Sequence, residues 1–93
     1  MTELTTYAQE RISFYEARFK TETNRQLAIN FTSLSASRGW TSERSYYSHA
    51  LVCEMKRRGI NLSIVMDNKG GATVIHYIPV VYDDLLHALV SAR

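Results

Sequence analysis

The sequence predicts a small α+β protein, organised as a single domain over residues 1–93, and three patterns indicate this fold class. Residues 60–78 carry the two-residue alternation and the central turn that are typical of a β-hairpin. Two further segments carry apolar residues at helical spacing. A chain of this length can bury about two-thirds of its unfolded surface, which is enough for one hydrophobic core. The predicted element order is α-β-α-β-β-α, in which helices pack on a three-stranded sheet of antiparallel type.

The hairpin supplies two strands of that sheet. Every second residue from Ile60 to Met66 is apolar, which is the side-chain period of a strand. The segment 67–70, Asp-Asn-Lys-Gly, has the composition of a type I turn that is closed by a glycine in the left-handed conformation. Residues 72–78 are β-branched or aromatic on both faces, which is typical of a strand inside a sheet.

Two helices are predicted in the first two-thirds of the chain. The first runs from about Leu4 to Lys20, and its apolar stripe consists of Ala8, Ile12, Tyr15 and Phe19. The second is capped by Thr41 or Ser42 and ends at Arg58, because Gly59 is a typical residue after a helix. Its expected inner stripe consists of Tyr47, Leu51 and Met55.

The segment between these helices allows two interpretations. Leu27, Ile29 and Phe31 alternate with smaller or polar residues, which favours a strand over residues 26–33 that pairs with residues 72–78. The alternative is a helix over residues 24–37. The element order would then be α-α-α-β-β-α, as in a winged helix, with residues 42–58 as the recognition helix and Lys69 at the tip of the wing.

The remaining segments complete the predicted fold. Residues 33–39 form a polar loop that ends at Trp40, which we expect in the core. Pro79 ends the last strand, and Asp83 begins a short final helix. The apolar side of this helix consists of Leu85, Leu86, Leu89 and Val90.

Composition limits the possible environments and partners. Hydrophobic residues make up 45% of the chain and charged residues 22%, which is typical of a globular protein. Cys53 is the single cysteine, and neither a leader nor an apolar run near membrane length is present, so we expect a cytoplasmic protein without membrane contact. The formal net charge is only +2, and its positive excess falls within residues 38–71.

No catalytic motif, metal site or cofactor site is predicted. His49 and Cys53 lie four residues apart on one helix and could share a metal, but no second matched pair completes the ligand set. A partly buried thiol beside a surface imidazole is therefore the favoured interpretation. Asp83 and Asp84 are adjacent and would not face each other on a helix.

A candidate binding surface extends along the second helix to the hairpin turn. Its residues combine cations with aromatic rings, and they are Arg44, Tyr46, His49, Lys56, Arg57 and Lys69. Cations beside aromatic side chains can bind phosphates and bases, and tyrosine and arginine are also typical anchors of protein interfaces. The low net charge favours an ordinary solvated helix end over a nucleic-acid surface.

The sequence thus favours a small non-enzymatic protein that docks onto a larger protein or nucleoprotein complex. Accessory proteins and inhibitors of the kind that phages and mobile elements encode are often domains of this size. The alternative is a DNA-binding regulator of winged-helix type that uses the basic segment, and a small enzyme ranks third. The oligomeric state is left open by the sequence.

Overall fold

A computed structural model describes residues 6–37, 39 and 41–92, and it shows three helices followed by two antiparallel hairpins. The helices are Thr6–Phe19 (α1), Asn24–Ala36 (α2) and Ser42–Arg57 (α3), and the strands are Met66–Lys69 (β1), Ala72–Ile75 (β2), Val80–Asp83 (β3) and Ala88–Ser91 (β4). The α+β class is confirmed, but the predicted three-stranded sheet is not formed. The expected start of the first helix at Leu4 and the expected burial of Trp40 concern positions outside the described residues.

The two predicted helices, α1 and α3, are confirmed and form the centre of the fold. In α1, the stripe from Ala8 to Phe19 is buried as predicted. In α3, the Thr41 side chain accepts a hydrogen bond from the Arg44 backbone N–H, and the helix ends before Gly59, whose φ is +74°. Leu51 and Met55 are fully buried, and α3 packs against both α1 and α2, while the second hairpin packs on α2 through β3.

The prediction of a strand over residues 26–33 is wrong, because this segment belongs to α2. Thr23 and Gln26 form a capping box, in which each side chain accepts a hydrogen bond from the other residue's backbone N–H. Leu27 and Phe31 are completely buried, whereas Ile29, which lies between them in the apparent alternation, is 58% exposed. The apolar residues therefore follow the helical period, and β2 pairs with β1 alone.

The hairpin is confirmed as an element, but its boundaries differ from the prediction. Asp67, Asn68 and Lys69 belong to β1, and the turn consists of Gly70 and Gly71, with φ values of +59° and +84°. Two positive φ values in a two-residue loop are typical of a type I′ turn, which matches the right-handed twist of the strands. Residues 67–74 are all exposed, so β2 is not the central strand that its composition suggested.

Residues 60–65 do not form the predicted first strand. Ile60, Leu62 and Val65 are buried, while Asn61 makes an isolated parallel bridge to Ala88. The backbone N–H of Val65 donates to the Leu62 carbonyl at 2.9 Å, which closes a turn before β1 begins. This segment therefore links α3 to the second hairpin, and its last residue, Val65, contacts the first hairpin through a 2.7 Å hydrogen bond from the His76 N–H.

The predicted final helix is also wrong, because β3 and β4 form a second hairpin there. The Asp83 side chain accepts a hydrogen bond from the Leu86 N–H at 3.0 Å, which stabilises a turn rather than a helix start. His87 adopts a φ of +50° and its ring lies between Tyr82 Oη and the Arg58 carbonyl, at 2.6 and 2.8 Å. Leu85, which was expected on the inner side of the helix, is 97% exposed at the turn.

Two contacts fix the hairpins against the helices. Thr32 Oγ1 of α2 bonds both the N–H and the carbonyl of Val80, at 2.9 and 2.8 Å, and so binds the start of β3. After β2, the Tyr77 ring stacks on Phe31, and its hydroxyl shares a 2.6 Å hydrogen bond with Ser48 of α3. The hairpin β1–β2 is thus fixed at its base while its tip projects into solvent.

Across residues 6–37, 39 and 41–92, the structure contains no helix with the length and apolar character that crossing a membrane requires.

Candidate docking surface

The six residues predicted to form a binding surface do not act as one cluster. Arg44 is turned inward, where its guanidinium donates to the Leu34 carbonyl at 2.8 Å and lies over the Tyr77 ring. It therefore joins α3 to the end of α2. Arg57 forms an ion pair at 2.5 Å with Glu54, a carboxylate that Arg58 also contacts, and its side chain stays 48% exposed.

Two of the predicted cations remain on the surface near the hairpin. Lys56 is exposed and lines a polar cleft between α3 and the first hairpin, together with Asp67, Asn68 and Thr73. Lys69 is exposed beside the turn of the same hairpin. The carboxylate of Asp67 lies in the same cleft as Lys56, so the positive potential there is modest.

The remaining predicted residues, Tyr46 and His49, lie on the outward side of α3. Tyr46 is half-buried and its ring meets that of Tyr7 from α1 edge-on, with centroids 6.2 Å apart. His49 is exposed one turn further along, and its Nε2 lies 3.6 Å from Sγ of Cys53. The described residues contain no group of three or more histidine, cysteine or acidic side chains that could hold a metal ion.

Tyr46 belongs to a surface that the sequence analysis did not identify. Where α1 crosses α3, five residues from the two helices form one face, which we call the aromatic face: Tyr7, Arg11, Phe14, Glu43 and Tyr46. Tyr7 is 61% exposed and Phe14 is 54% exposed, and the guanidinium of Arg11 lies 4.9 Å from the centre of the Phe14 ring. The spacing of residues 7, 11 and 14 places them on one side of α1. This spacing was visible in the sequence, but only the helix packing shows that the stripe is exposed.

An ion pair holds the centre of the aromatic face. Nε and Nη2 of Arg11 donate to the same oxygen of Glu43 at 2.8 and 2.6 Å, and the Tyr15 hydroxyl donates to that oxygen as well. Hydrogen bonds from Arg11 and then from Tyr15 lower the pKa of the Glu43 carboxyl. The pKa of Tyr15 is raised, first by its hydrogen bond to Glu43 and then by burial. Arg11 and Glu43 are therefore both charged at neutral pH and hold each other in place.

A shallow groove of about 340 Å³ opens beside this ion pair, between α2 and the start of α3. Its floor includes Tyr47, whose pKa is raised by burial, and its rim carries the hydroxyls of Ser33, Ser37 and Thr41. The groove adjoins Glu43, so the aromatic face continues into a concave, hydroxyl-lined surface. A partner that contacts the exposed rings can therefore also reach hydrogen-bonding groups.

The comparisons with protein-family models, with curated proteins and with solved structures found no match for this chain.

Proposed function

We propose that this chain is a non-enzymatic binding protein that docks onto a partner protein through the aromatic face. The observation that supports this proposal is the exposure of Tyr7 and Phe14 on either side of the fixed Arg11–Glu43 pair. Tyrosine, phenylalanine and arginine are enriched at protein interfaces, and tyrosine and arginine dominate their binding energy. A protein that occupies its partner's surface in this way acts as an accessory subunit or an inhibitor.

The rigidity of the aromatic face favours binding. Arg11 is held by Glu43 and by the rings beneath it, so little side-chain entropy remains to be lost when a partner covers it. Tyr7 is supported edge-on by Tyr46. The paired charges of Arg11 and Glu43 make the centre of the face neutral overall. We therefore expect a partner surface that is largely apolar, with a polar rim.

Binding of duplex DNA is a second candidate, and it is supported by the order of elements. Residues 37–41 connect α2 to α3 through Gly39, whose φ is +76°, and an exposed hairpin follows α3. A short glycine-containing turn between two helices is typical of helix-turn-helix proteins, and a following hairpin is typical of a wing. Of the predicted cations, however, Arg44 is engaged within the fold and the exposed Arg57 forms an ion pair with Glu54, whereas Lys56 and Lys69 are exposed near the hairpin.

One experiment with two arms tests the proposal. In the first arm, the tagged chain captures proteins from a lysate of its source cells, and mass spectrometry identifies them. We expect the wild type to capture a partner protein. The Tyr7→Ala and Phe14→Ala variants should each capture at least tenfold less of it. Ile29→Ala is the matched control, because Ile29 is exposed to a similar extent on α2. Circular dichroism verifies that each variant is folded.

In the second arm, the pure protein is titrated with generic duplex DNA at several salt concentrations. If Lys56, Arg57 and Lys69 each neutralised a phosphate, log affinity would fall against log salt with a slope of about −3. The variant Lys56→Ala/Arg57→Ala/Lys69→Ala would then abolish binding. We expect no binding to duplex DNA at physiological salt. DNA binding that the triple variant removes and Tyr7→Ala leaves intact would replace the proposed function with the second candidate.

A further inference from the structure

We propose that His49 and Cys53 form half of a zinc site, which the same two residues of a second copy of this chain complete. The two side chains lie on adjacent turns of α3, and Nε2 of the imidazole is 3.6 Å from Sγ of the thiol. His49 is exposed and Cys53 is half-buried, so the space beyond the two donor atoms is open to solvent. This inference goes beyond the proposed function and uses neither Tyr7 nor Phe14.

The separation of the two donor atoms is the distance that tetrahedral zinc requires. Zinc binds thiolate sulfur at about 2.3 Å and imidazole nitrogen at about 2.0–2.1 Å. With a tetrahedral angle between these bonds, sulfur and nitrogen lie about 3.6 Å apart. The observed separation is 3.6 Å, so α3 presents both ligands at the required spacing without a change of backbone. Helical geometry produces this arrangement, because residues four apart lie on the same side of a helix.

A second copy of the chain is the simplest source of the other two ligands. Across the described parts of the chain, no third histidine, cysteine or carboxylate joins the pair, so one chain leaves two of the four coordination positions open. A two-fold axis through the metal brings an identical His49–Cys53 pair to these positions. The resulting set of two cysteines and two histidines is a common structural zinc site.

Charge explains why the association would depend on the metal. The two cysteines release their protons to solvent on binding, and the two thiolates then neutralise Zn²⁺. Lys56 is exposed on the next turn of α3. Asp67 lies in the same cleft as Lys56 and reduces the positive potential there, so the bonds to zinc are what would hold two copies of this turn together. When zinc is removed, two chains should therefore no longer associate through this turn of α3.

The test is a titration of the purified chain with Zn²⁺ in the presence of a phosphine reductant, which prevents disulfides between copies. Isothermal calorimetry should give one zinc ion per two chains. Light scattering on a sizing column should show the mass doubling with zinc and returning to its initial value with EDTA. Cobalt(II) in place of zinc should give the absorption of a tetrahedral thiolate complex, which reports the ligands directly.

Variants identify the ligands and separate this inference from the proposed function. His49→Ala and Cys53→Ser should each abolish the mass doubling and the cobalt–thiolate absorption, whereas His76→Ala, which also removes an exposed imidazole, should change neither. Tyr7→Ala should retain zinc binding even though it loses the partner protein. Absence of zinc binding, one zinc ion per monomer, or unchanged binding in both His49→Ala and Cys53→Ser would each overturn the inference.

Discussion

Arg58 joins distant parts of the chain through one guanidinium group. It donates to Glu54 Oε2 at 2.7 Å, to Asn24 Oδ1 at 2.8 Å and to the Phe19 carbonyl at 2.8 Å. The Phe19 carbonyl, at the end of α1, also accepts a hydrogen bond from the Glu22 backbone N–H at 3.0 Å. The carbonyl of Arg58 itself lies 2.8 Å from the His87 ring. One residue therefore links all three helices to the second hairpin.

Replacing Arg58 should cost far more stability than replacing its neighbour. Arg58→Ala leaves the buried Glu54 carboxylate with Arg57 alone and removes the donors to Phe19 and Asn24, so we expect a loss of about 3 kcal/mol. Arg57→Ala is the matched control. Because the Arg57 side chain is 48% exposed, its loss should cost at most about 1 kcal/mol. Urea unfolding measures both values, and equal losses in the two variants would contradict the assigned roles.

Individual residues also show what the sequence could not predict. Arg44 and Arg57 are of a residue type that is common at contact surfaces. In the fold, however, Arg44 donates to the Leu34 carbonyl, and Arg57 pairs with the Glu54 carboxylate on the same helix. Whether a cation faces solvent depends on where such acceptors lie after folding. By contrast, the sequence places Tyr7, Arg11 and Phe14 together on one side of α1, off its buried stripe, although their exposure follows from how α1 packs on α3.

At the level of elements, the glycines at the tip of the first hairpin are required by its turn. Gly70→Val forces a β-branched residue into a φ of +59°, which should cost about 1–3 kcal/mol although a Cβ at this position would meet no other atom. Gly70→Asn is the control, because asparagine tolerates this conformation in type I′ turns. The measurement is the set of cross-strand NMR contacts between Asn68 and Thr73, with the melting temperature. Intact contacts in Gly70→Val would exclude this turn.

Two of the wrong predictions, the strand over residues 26–33 and the final helix, have separate physical causes. In α2, the alternation of Leu27, Ile29 and Phe31 coincides with part of a helical stripe. The capping box at Thr23 is the local signal that distinguishes a helix from a strand here. After Pro79, the sequence pattern predicts a helix that starts at Asp83. An aspartate can bond a backbone N–H three residues later in a tight turn as well as at a helix cap, so this signal alone does not distinguish the two.

At the scale of the whole molecule, one hydrophobic cluster connects the helices to both hairpins. Phe31 lies in it, with its ring stacked on Tyr77 at 5.5 Å between centroids, and Tyr77 in turn bonds Ser48 of α3. Val80 and Leu89 bring the second hairpin into the same cluster. Because the described core is continuous, loss of packing at one point should affect every element, and we expect unfolding to be cooperative.

The contrast between Phe31 and Ile29 tests this arrangement and the identity of α2 together. A strand over residues 26–33 would place both side chains on one face, so truncation of either would have a similar cost. In the helix, Phe31 is fully buried and Ile29 is 58% exposed. Phe31→Ala should therefore lose about 3–5 kcal/mol. Ile29→Ala should change stability by no more than about 0.5 kcal/mol.

The same two variants report whether the core unfolds as a unit. Far-ultraviolet circular dichroism follows the helices, and the backbone amide NMR signals of β1–β4 follow the two hairpins. In urea, the two signals should change at one midpoint in the wild type and should shift together in Phe31→Ala, because the helices and the hairpins share the cluster around this residue. Separate midpoints for the two signals would show that the helices unfold independently of the hairpins, and equal losses in the two variants would argue against the helix.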